Sequence, residues 1–227
     1  MRKIGGLTSA KLTKVGTKVE QLKEKIKTQK KEEMTPKVIK AALSKGYDVF
    51  EQDDKPFNLN IIAVRSDSLE TNVFNDRMHL CWKHKGRWTD FNFPVTTDAG
   101  LYWLKNPLSK LGTAIVKEGQ YKGVWQTGLH RGRYFALVQK KPITVIRDYN
   151  KDDVIDINSG VEETGMFGIN HHRANFKEES LKVNKFSAGC IVNPHPRLFE
   201  VEMEIFREAK AIWGDSFSFT LLKQSDL

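Results

Sequence analysis

One cysteine and one histidine of this chain have the residue types and the spacing that thiolate chemistry requires. Cys190 ends the stretch KFSAGC, in which Gly189 allows the backbone to turn sharply. His172 precedes the cysteine by 18 positions. An imidazole that takes the thiol proton creates an ion pair, which lowers the pKa of the cysteine and makes it a nucleophile. The two residues therefore predict a cysteine nucleophile with a histidine as general base and acid.

The residues directly before Cys190 predict a site for the negative charge of an acyl-transfer intermediate. Ser187 and Ala188 lead into the glycine turn. The backbone N–H groups of Ala188, Gly189 and Cys190 can converge beside the sulfur and stabilise an oxyanion. The alternative is that Cys190 and His172 are strand-end residues with no shared role.

The adjacent histidines His171 and His172 compete for the role of base. Neighbouring residues of a strand point to opposite faces, so only one of the two can face Cys190. The apolar residues Phe167 and Ile169 lie in phase with His171. This alternation predicts that His171 is packed or hydrogen-bonded inside the protein and that His172 faces Cys190.

Three residues are candidates for substrate binding. Asn170 and His171 directly precede the expected base, and His130 lies in the segment GLHRGRYFALVQ. A single histidine at a strand end is more often an ordinary surface or packed residue, which is the alternative for His130.

An acidic segment has part of the pattern of a calcium-binding loop. Asp148, Asn150 and Asp152 stand at alternate positions, as the ligands of such loops do. Asp153 occupies the position where the loop normally has glycine, and Ser159 stands where glutamate is expected. We therefore interpret the segment as an acidic turn, and we expect neither a metal nor another cofactor.

The elements that must position these residues are mostly short strands. Apolar, β-branched or alternating patterns predict strands at 57–66, 77–93 (a hairpin turning near Lys85-Gly86), 123–130, 134–139, 143–148 and 216–222. An amphipathic helix over 196–214 is predicted by an apolar stripe of Leu198, Val201, Ile205, Ala209 and Ile212. The pattern is typical of a mostly-β, α+β domain, a sandwich or barrel with one late helix.

The net charge of +9 is concentrated at the N-terminal end. Residues 1–45 hold 13 basic and 4 acidic residues, whereas the remainder is balanced with 24 of each. A basic arm can bind nucleic acid, anionic lipid or an acidic protein face. Binding of nucleic acid through the arm is a rival hypothesis, which the balanced body does not favour.

The N-terminal segment 11–31 has the pattern of an amphipathic helix that needs an apolar partner. Its apolar residues recur at heptad spacing: Leu12, Val15, Val19, Leu22 and Ile26. The helix either folds back onto the body or serves as a docking or oligomerising arm, and the pattern leaves both open. We expect a helical arm at 1–34, a short helix and linker at 35–50 with Pro36 at the helix start, and the main domain at 51–227.

The composition limits the compartment and the redox chemistry. With 39% hydrophobic residues and a mean hydropathy of -0.49, the chain has no apolar run long enough to span a membrane. Its N-terminus lacks the apolar core of a secretory signal, so we expect synthesis in the cytoplasm without export by that route. Two cysteines are too few for a disulfide framework, and the alternating run around Cys81 predicts a buried structural thiol.

The segment 166–193 resembles the catalytic signature of the L,D-transpeptidases, the YkuD-like family. That signature is a histidine, a spacer and then Ser/Thr-His-Gly-Cys, and here His172 is followed after fourteen residues by SAGC at 187–190. The resemblance implies that Cys190 is the nucleophile, that His172 is the base and that the carbonyl of Arg173 orients this histidine. It also implies a mostly-β sandwich or barrel-like domain.

The sequence departs from the family pattern at three positions. Ala188 replaces the histidine of the motif, Val192 replaces an arginine that often follows the cysteine, and Arg173 replaces a small residue. Ala188 removes a side chain but keeps its backbone N–H group. The departures therefore bear more on the substrate than on the Cys–His chemistry.

The resemblance implies a cysteine-dependent acyl transfer on peptidoglycan stem peptides. An amine acceptor gives a cross-link, whereas water gives carboxypeptidase or endopeptidase activity. The segment 174–186 is a candidate lid between base and nucleophile. The alternative is an inactive domain that binds cell wall or serves as a structural virion protein.

Members of the family act outside the cytoplasmic membrane. Because no secretory signal is expected in this chain, the resemblance implies that the protein reaches the cell wall by a route other than secretion. The stretch 96–123 also resembles phage-encoded relatives. Delivery with a phage particle, with residues 1–33 docking to a virion protein, is the hypothesis that joins these points.

Overall fold

The structure is a computed structural model that describes residues 20, 24, 34–68, 70–158 and 160–227. The chain divides into two compact units, Met1–Pro36 and Lys37–Leu227. In the first unit Glu20 and Glu24 are helical, and the predicted apolar seam of the arm lies outside the described residues. None of the helices in the described residues is long and apolar enough to span a membrane.

The second unit begins with helix α1 (Lys37–Ser44), which starts one residue after Pro36, the expected first helical position. The helix ends at Ser44 and is followed by a turn at Gly46, which has a φ of 74° and donates its N–H to the carbonyl of Leu43 at 2.9 Å. The apolar face of α1 is buried in a small core cluster with residues from three strands: Val38, Ile39, Ala41, Ala42, Ile62, Val64, Cys81 and Leu222.

Two sheets contain the strands of the described residues. The strands are β1 (Asn60–Arg65), β2 (Asp76–His84), β3 (Arg87–Val95), β4 (Thr113–Val116), β5 (Gly119–His130), β6 (Tyr134–Gln139), β7 (Ile143–Asp148), β8 (Val161–Gly165), β9 (His171–Arg173), β10 (Ile191–Asn193) and β11 (Phe217–Lys223). The remaining elements are α2 (Leu101–Lys105), α3 (Pro196–Trp213) and a 3₁₀ turn (Gln224–Asp226).

The larger sheet is nearly closed into a barrel. Its strand order is β10-β9-β6-β5-β11-β1-β2-β3, and the smaller sheet has the order β4-β7-β8. Thr96, just past β3, pairs with Val192 of β10 through N–H···O bonds of 2.9 and 3.0 Å. The first and last strands of the order are thereby brought together, and the expectation of a mostly-β, α+β domain is confirmed at this level.

The predicted hairpin turns where its sequence indicates. Lys85 and Gly86 have φ angles of 50° and 76°, and both signs are positive as a two-residue type I′ turn requires. The observed bounds of β6 and β7 coincide with the predicted segments 134–139 and 143–148. The strands that the sequence analysis missed have three to five residues, too few for a periodicity to be recognised.

Helix α3 is where predicted, and its predicted stripe is buried only in part. Ala209 is buried, and Leu198 and Ile205 pack against the core. Val201, on the predicted apolar stripe, is 48% exposed. The other buried residues of the helix lie outside the predicted stripe: Pro196, Phe199, Glu202, Met203 and Phe206. Because Glu202 is charged in sequence, a hydropathy pattern assigns it to the exposed face of the helix and does not predict its burial.

Candidate functional site

Cys190 lies directly before β10, beside the strand that carries His172. The two strands are parallel, with Ile191 opposite His171 and Val192 opposite His172. The N–H of Ile191 bonds the carbonyl of Asn170 at 3.0 Å, so the register continues back to Cys190. Because side chains alternate along each strand, Cys190 and His172 share one face of this pair. Their placement agrees with the alternation seen in the sequence.

The turn before Cys190 accepts only glycine at position 189. Gly189 has a φ of 122°, and a Cβ atom there would lie 2.5 Å from the carbonyl oxygen of Ala114. The Gly189 N–H donates to Ser187 Oγ at 3.1 Å, and this hydroxyl donates to the carbonyl of Cys190 at 2.8 Å. The buried Ser187 therefore holds the turn together. The Gly189 N–H is occupied, so the expected oxyanion donors reduce to those of Ala188 and Cys190.

His172 is held in the tautomer that a general base needs. The side chain is 4% exposed, and its Nδ1 lies 2.8 Å from the carbonyl oxygen of Arg173. A carbonyl can only accept, so Nδ1 carries the proton and Nε2 keeps a lone pair. The hydroxyl of Tyr134 donates to the same carbonyl at 3.2 Å. Arg173 thus occupies the position that the family resemblance implies.

A second histidine lies against the first. The rings of His130 and His172 are stacked, with centroids 3.9 Å apart and an angle of 23°. The Asn170 amide oxygen accepts the N–H of Gln139 at 2.8 Å, which leaves its Nδ2 to donate to His130 Nδ1 at 3.2 Å. His130 therefore carries its proton on Nε2. Asn170, expected to bind substrate, is used to orient His130.

Burial keeps both partners of the candidate pair neutral. Burial lowers the pKa of His172 to about 3, with a smaller effect from His130. Burial, followed by the charge of Arg131, lowers the pKa of His130 to about 4. Burial raises the pKa of the Cys190 thiol, against opposing effects of the Asn170 backbone and Arg131. The expected resting ion pair is therefore replaced by a neutral thiol and a neutral imidazole.

Two cavities reach the segments that carry the pair. A cavity of about 230 Å³ is lined by His130, Arg131, Arg133, Tyr134, His172, Arg173, Ala174, Lys185 and Phe186. Four of these side chains are cationic, which makes this cavity suited to anionic groups. A second cavity of about 170 Å³ includes Ala188, Ala114 and Ile169 in its lining. Part of the candidate lid 174–186 borders the first cavity.

His171 is not a substrate-binding residue. The side chain is fully buried, and its Nε2 lies 2.6 Å from Glu202 Oε2. Its Nδ1 lies 3.2 Å from the carbonyl oxygen of Ile191, and its ring packs near Trp125 and Phe199. The polar pair is enclosed in the core, as the phase with Phe167 and Ile169 predicts.

In the described residues, two further segments carry potential metal ligands. Asp148 ends β7, and Asn150 and Asp152 lie in the loop that follows. On the hairpin β2–β3, the structure brings together His79, Cys81 and Asp90, with ligand atoms within 4.8 Å of one another. The sequence analysis missed this group, because the acid comes from the neighbouring strand. Burial, then Asp90, raises the pKa of Cys81, which agrees with a structural thiol.

Sequence reasoning also missed two residues that support the site. The Tyr134 hydroxyl lies 3.4 Å from His172 Nδ1 and also donates to the carbonyl of Arg173. No spacing in the sequence joins Tyr134 to His172. Gln139 accepts the N–H groups of Phe167 and Ile169 at 3.0 and 2.9 Å and donates to the carbonyl of Gly165. This one side chain braces the backbone that leads to the histidines.

Comparison of the chain with protein-family models, with curated proteins and with solved structures finds no match. The functional interpretation therefore rests on the site. The Cys190 thiol donates to the carbonyl of Gly168 at 3.4 Å and lies on the same strand face as His172. A neutral thiol and a correctly protonated imidazole on one face can exchange a proton as the sulfur attacks a carbonyl carbon.

Proposed function

We propose that the protein is a cysteine-dependent acyl-transfer enzyme of the L,D-transpeptidase type that acts on peptidoglycan stem peptides. The observation that carries the proposal is the state of His172. Its Nδ1–H is committed to the carbonyl of Arg173, its Nε2 keeps a lone pair, and it shares a strand face with Cys190. The spacing of the two residues gives the link to the family.

The reaction starts from the neutral pair. Cys190 Sγ attacks the carbonyl carbon of the residue before a terminal D-amino acid, while its proton passes to His172 Nε2. The C–N bond then breaks, the leaving amine takes the proton from His172, and a thioester remains on Cys190. An acceptor amine or water next attacks the thioester and gives a proton to His172 Nε2. The C–S bond breaks, and the thiolate takes this proton from the histidine.

The surroundings of His172 support the proton transfers. The lowered pKa keeps the imidazole unprotonated at neutral pH, so the base is available before substrate binds. Its cationic form, created during attack, is stabilised by the Arg173 carbonyl, which already accepts the Nδ1 proton. The backbone N–H groups of Ala188 and Cys190 are the proposed donors to the oxyanion.

The cationic cavity supports a substrate that carries carboxylates. Arg131, Arg133, Arg173 and Lys185 all border the space next to the base. A stem peptide that ends in a D-amino acid presents such a carboxylate next to the bond that breaks. Delivery with a phage particle and docking through residues 1–33 are the cellular part of the same proposal.

The test is mass spectrometry of purified muropeptides incubated with the wild type, Cys190→Ala and His172→Gln. We expect new cross-links, shortened stems or opened bridges with the wild type and none with Cys190→Ala. Loss of general acid–base catalysis in His172→Gln should slow the reaction about 100-fold or more. Circular dichroism of each variant checks that its fold is intact.

Two results would count against the proposal. Activity that persists in Cys190→Ala rules out the thioester mechanism. Binding of muropeptides by the wild type and by Cys190→Ala alike, without any change in their masses, supports the alternative of an inactive binding module.

A further inference from the structure

The loop between β7 and β8 gathers oxygen-bearing side chains at alternate positions. Asn150 Nδ2 lies 2.9 Å from Asp152 Oδ2 and 2.6 Å from Asp156 Oδ2. Two carboxylates thus converge on one amide group. Asp156 extends the alternate series Asp148, Asn150, Asp152 by a further acid, which the sequence analysis did not include.

Asp148 supplies an independent sign of a ligand. Its side chain is 1% exposed, and its Oδ2 accepts the N–H of Asp156 at 3.1 Å, which directs the carboxyl group into the loop. Its Oδ1 is buried and has no hydrogen-bond partner among the described residues. A buried carboxylate oxygen without a partner is costly, and a bound cation satisfies it.

The loop backbone accounts for the absence of glycine at the sixth position of the calcium-loop pattern. A calcium loop of this pattern needs glycine at its sixth position, held by Asp153, because the chain turns sharply there. In the described part of the loop, the positive φ falls on Lys151, at 62°, and not on Asp153. The turn is thus made two residues earlier, and a non-glycine residue at 153 is compatible with it.

The loop is also anchored to the domain. Ile155 and Ile157 pack against a core cluster formed by Ala99, Leu104 and Ile115. Anchoring of this kind fixes the backbone between the donors and reduces the entropy lost when an ion binds.

We propose that the loop Asp148–Asp156 binds Ca²⁺. The ligands are five oxygens: the carboxylates of Asp148, Asp152 and Asp156, the side-chain oxygen of Asn150 and the backbone carbonyl of Val154. Asn150 then presents Oδ1 in place of Nδ2, a rotation that exchanges two nearly isosteric groups. Oxygen-only donors suit a hard cation, and water completes the six to eight ligands of Ca²⁺.

The position of the loop connects the ion with the nucleophile turn. Asp148 is paired with Thr113 in the smaller sheet, and the next residue, Ala114, has the carbonyl that abuts Gly189. A bound ion therefore stiffens the sheet behind this turn. The binding itself does not depend on the proposed acyl transfer.

The test is calorimetric titration of the full chain with Ca²⁺, together with Tb³⁺ luminescence sensitised by Tyr149 inside the loop. A set without the bidentate glutamate should bind Ca²⁺ weakly, with a Kd on the order of 0.1–1 mM. Asp152→Asn replaces a charged ligand by a neutral amide oxygen and should weaken binding about tenfold or more. Asp153→Asn makes the same change of charge at a residue outside the ligand set and should change the Kd by less than about threefold.

Two outcomes would overturn the site. One is the absence of measurable heat and of Ca²⁺-displaceable Tb³⁺ luminescence in the wild type at about 10 mM Ca²⁺. The other is equal weakening by Asp152→Asn and Asp153→Asn, since this would show only diffuse attraction to the acidic loop. Cys190→Ala should bind Ca²⁺ like the wild type, which separates this result from the fate of the acyl-transfer proposal.

Discussion

Gly189 determines whether the turn before Cys190 can form. The residue meets two separate demands, a φ of 122° and a backbone so close to Ala114 that a side chain has no space. Gly132 meets only the first, because its φ is 69° and nothing lies within 4 Å of its missing Cβ. The two glycines therefore separate conformational strain from steric overlap.

Gly189→Ala should destabilise the protein by more than about 3 kcal/mol, because strain and a backbone clash add. Gly132→Ala should cost about 1–2 kcal/mol, the cost of a left-handed L-residue alone. Urea unfolding measures both. Equal losses would show that the contact with Ala114 relaxes without cost.

Residue types and spacing were sufficient to predict part of the site. His172 alternates with the apolar residues Phe167 and Ile169, which predicts that it points to the opposite side, and in the structure it shares a strand face with Cys190. The neutral state of the pair was not predictable, because it comes from burial and from His130, which lies on another strand. The use of the Gly189 N–H by Ser187 also depends on a side-chain rotamer that no spacing reveals.

At the scale of elements, the β2–β3 hairpin carries a residue that its turn does not favour. Lys85 is exposed and has a φ of 50°, a conformation in which asparagine or glycine is more stable than lysine. The preceding and following strands are paired over nine residue pairs, so the register does not depend on this position.

Lys85→Asn should stabilise the domain by about 0.5–1 kcal/mol, because asparagine tolerates the left-handed region and favours the type I′ turn. Lys85→Ala, which keeps the strain and removes the same charge, is the matched control and should give no gain. The midpoint of urea unfolding is the readout. An equal rise in both variants would assign the effect to charge.

Hydrophobic patterns in the sequence predicted some helices and strands better than others. The hairpin and strands β6 and β7 were predictable, since turn residues bound them clearly. The buried face of α3 was predictable only in part, because Glu202 is buried through its partner His171, which is distant in sequence. The three-residue strands β9 and β10 are defined by their pairing with each other, with β6 and with Thr96, and not by a pattern of their own.

At the scale of the whole molecule, the stacked histidines tie stability to pH. The unfolded chain protonates each histidine near the ordinary pKa of 6.5, whereas the folded protein keeps His130 and His172 neutral down to about 4 and 3. The unfolded state therefore binds more protons between these values, and folding stability falls as the pH is lowered through this window. Asp98 acts in the opposite direction, because burial raises its pKa to about 6.

Lowering the pH from 7 to 5 should cost about 2 kcal/mol for each of the two histidines. His130→Gln should remove its share of this loss, so the variant's stability should depend less on pH than that of the wild type. His84→Gln, at the end of β2, is the control and should keep the full loss. Parallel pH profiles of Tm for His130→Gln and wild type would contradict this assignment.

The place of β11 in the sheet order has a consequence for synthesis. This strand lies between β5 and β1, in the middle of the larger sheet, yet it follows nearly all other elements along the chain. At about 5–20 residues per second, β1 emerges from the ribosome on the order of ten seconds or more before its parallel neighbour exists. Throughout this interval the edge of β1 that later pairs with β11 is unpaired, and an unpaired strand edge can pair with other chains.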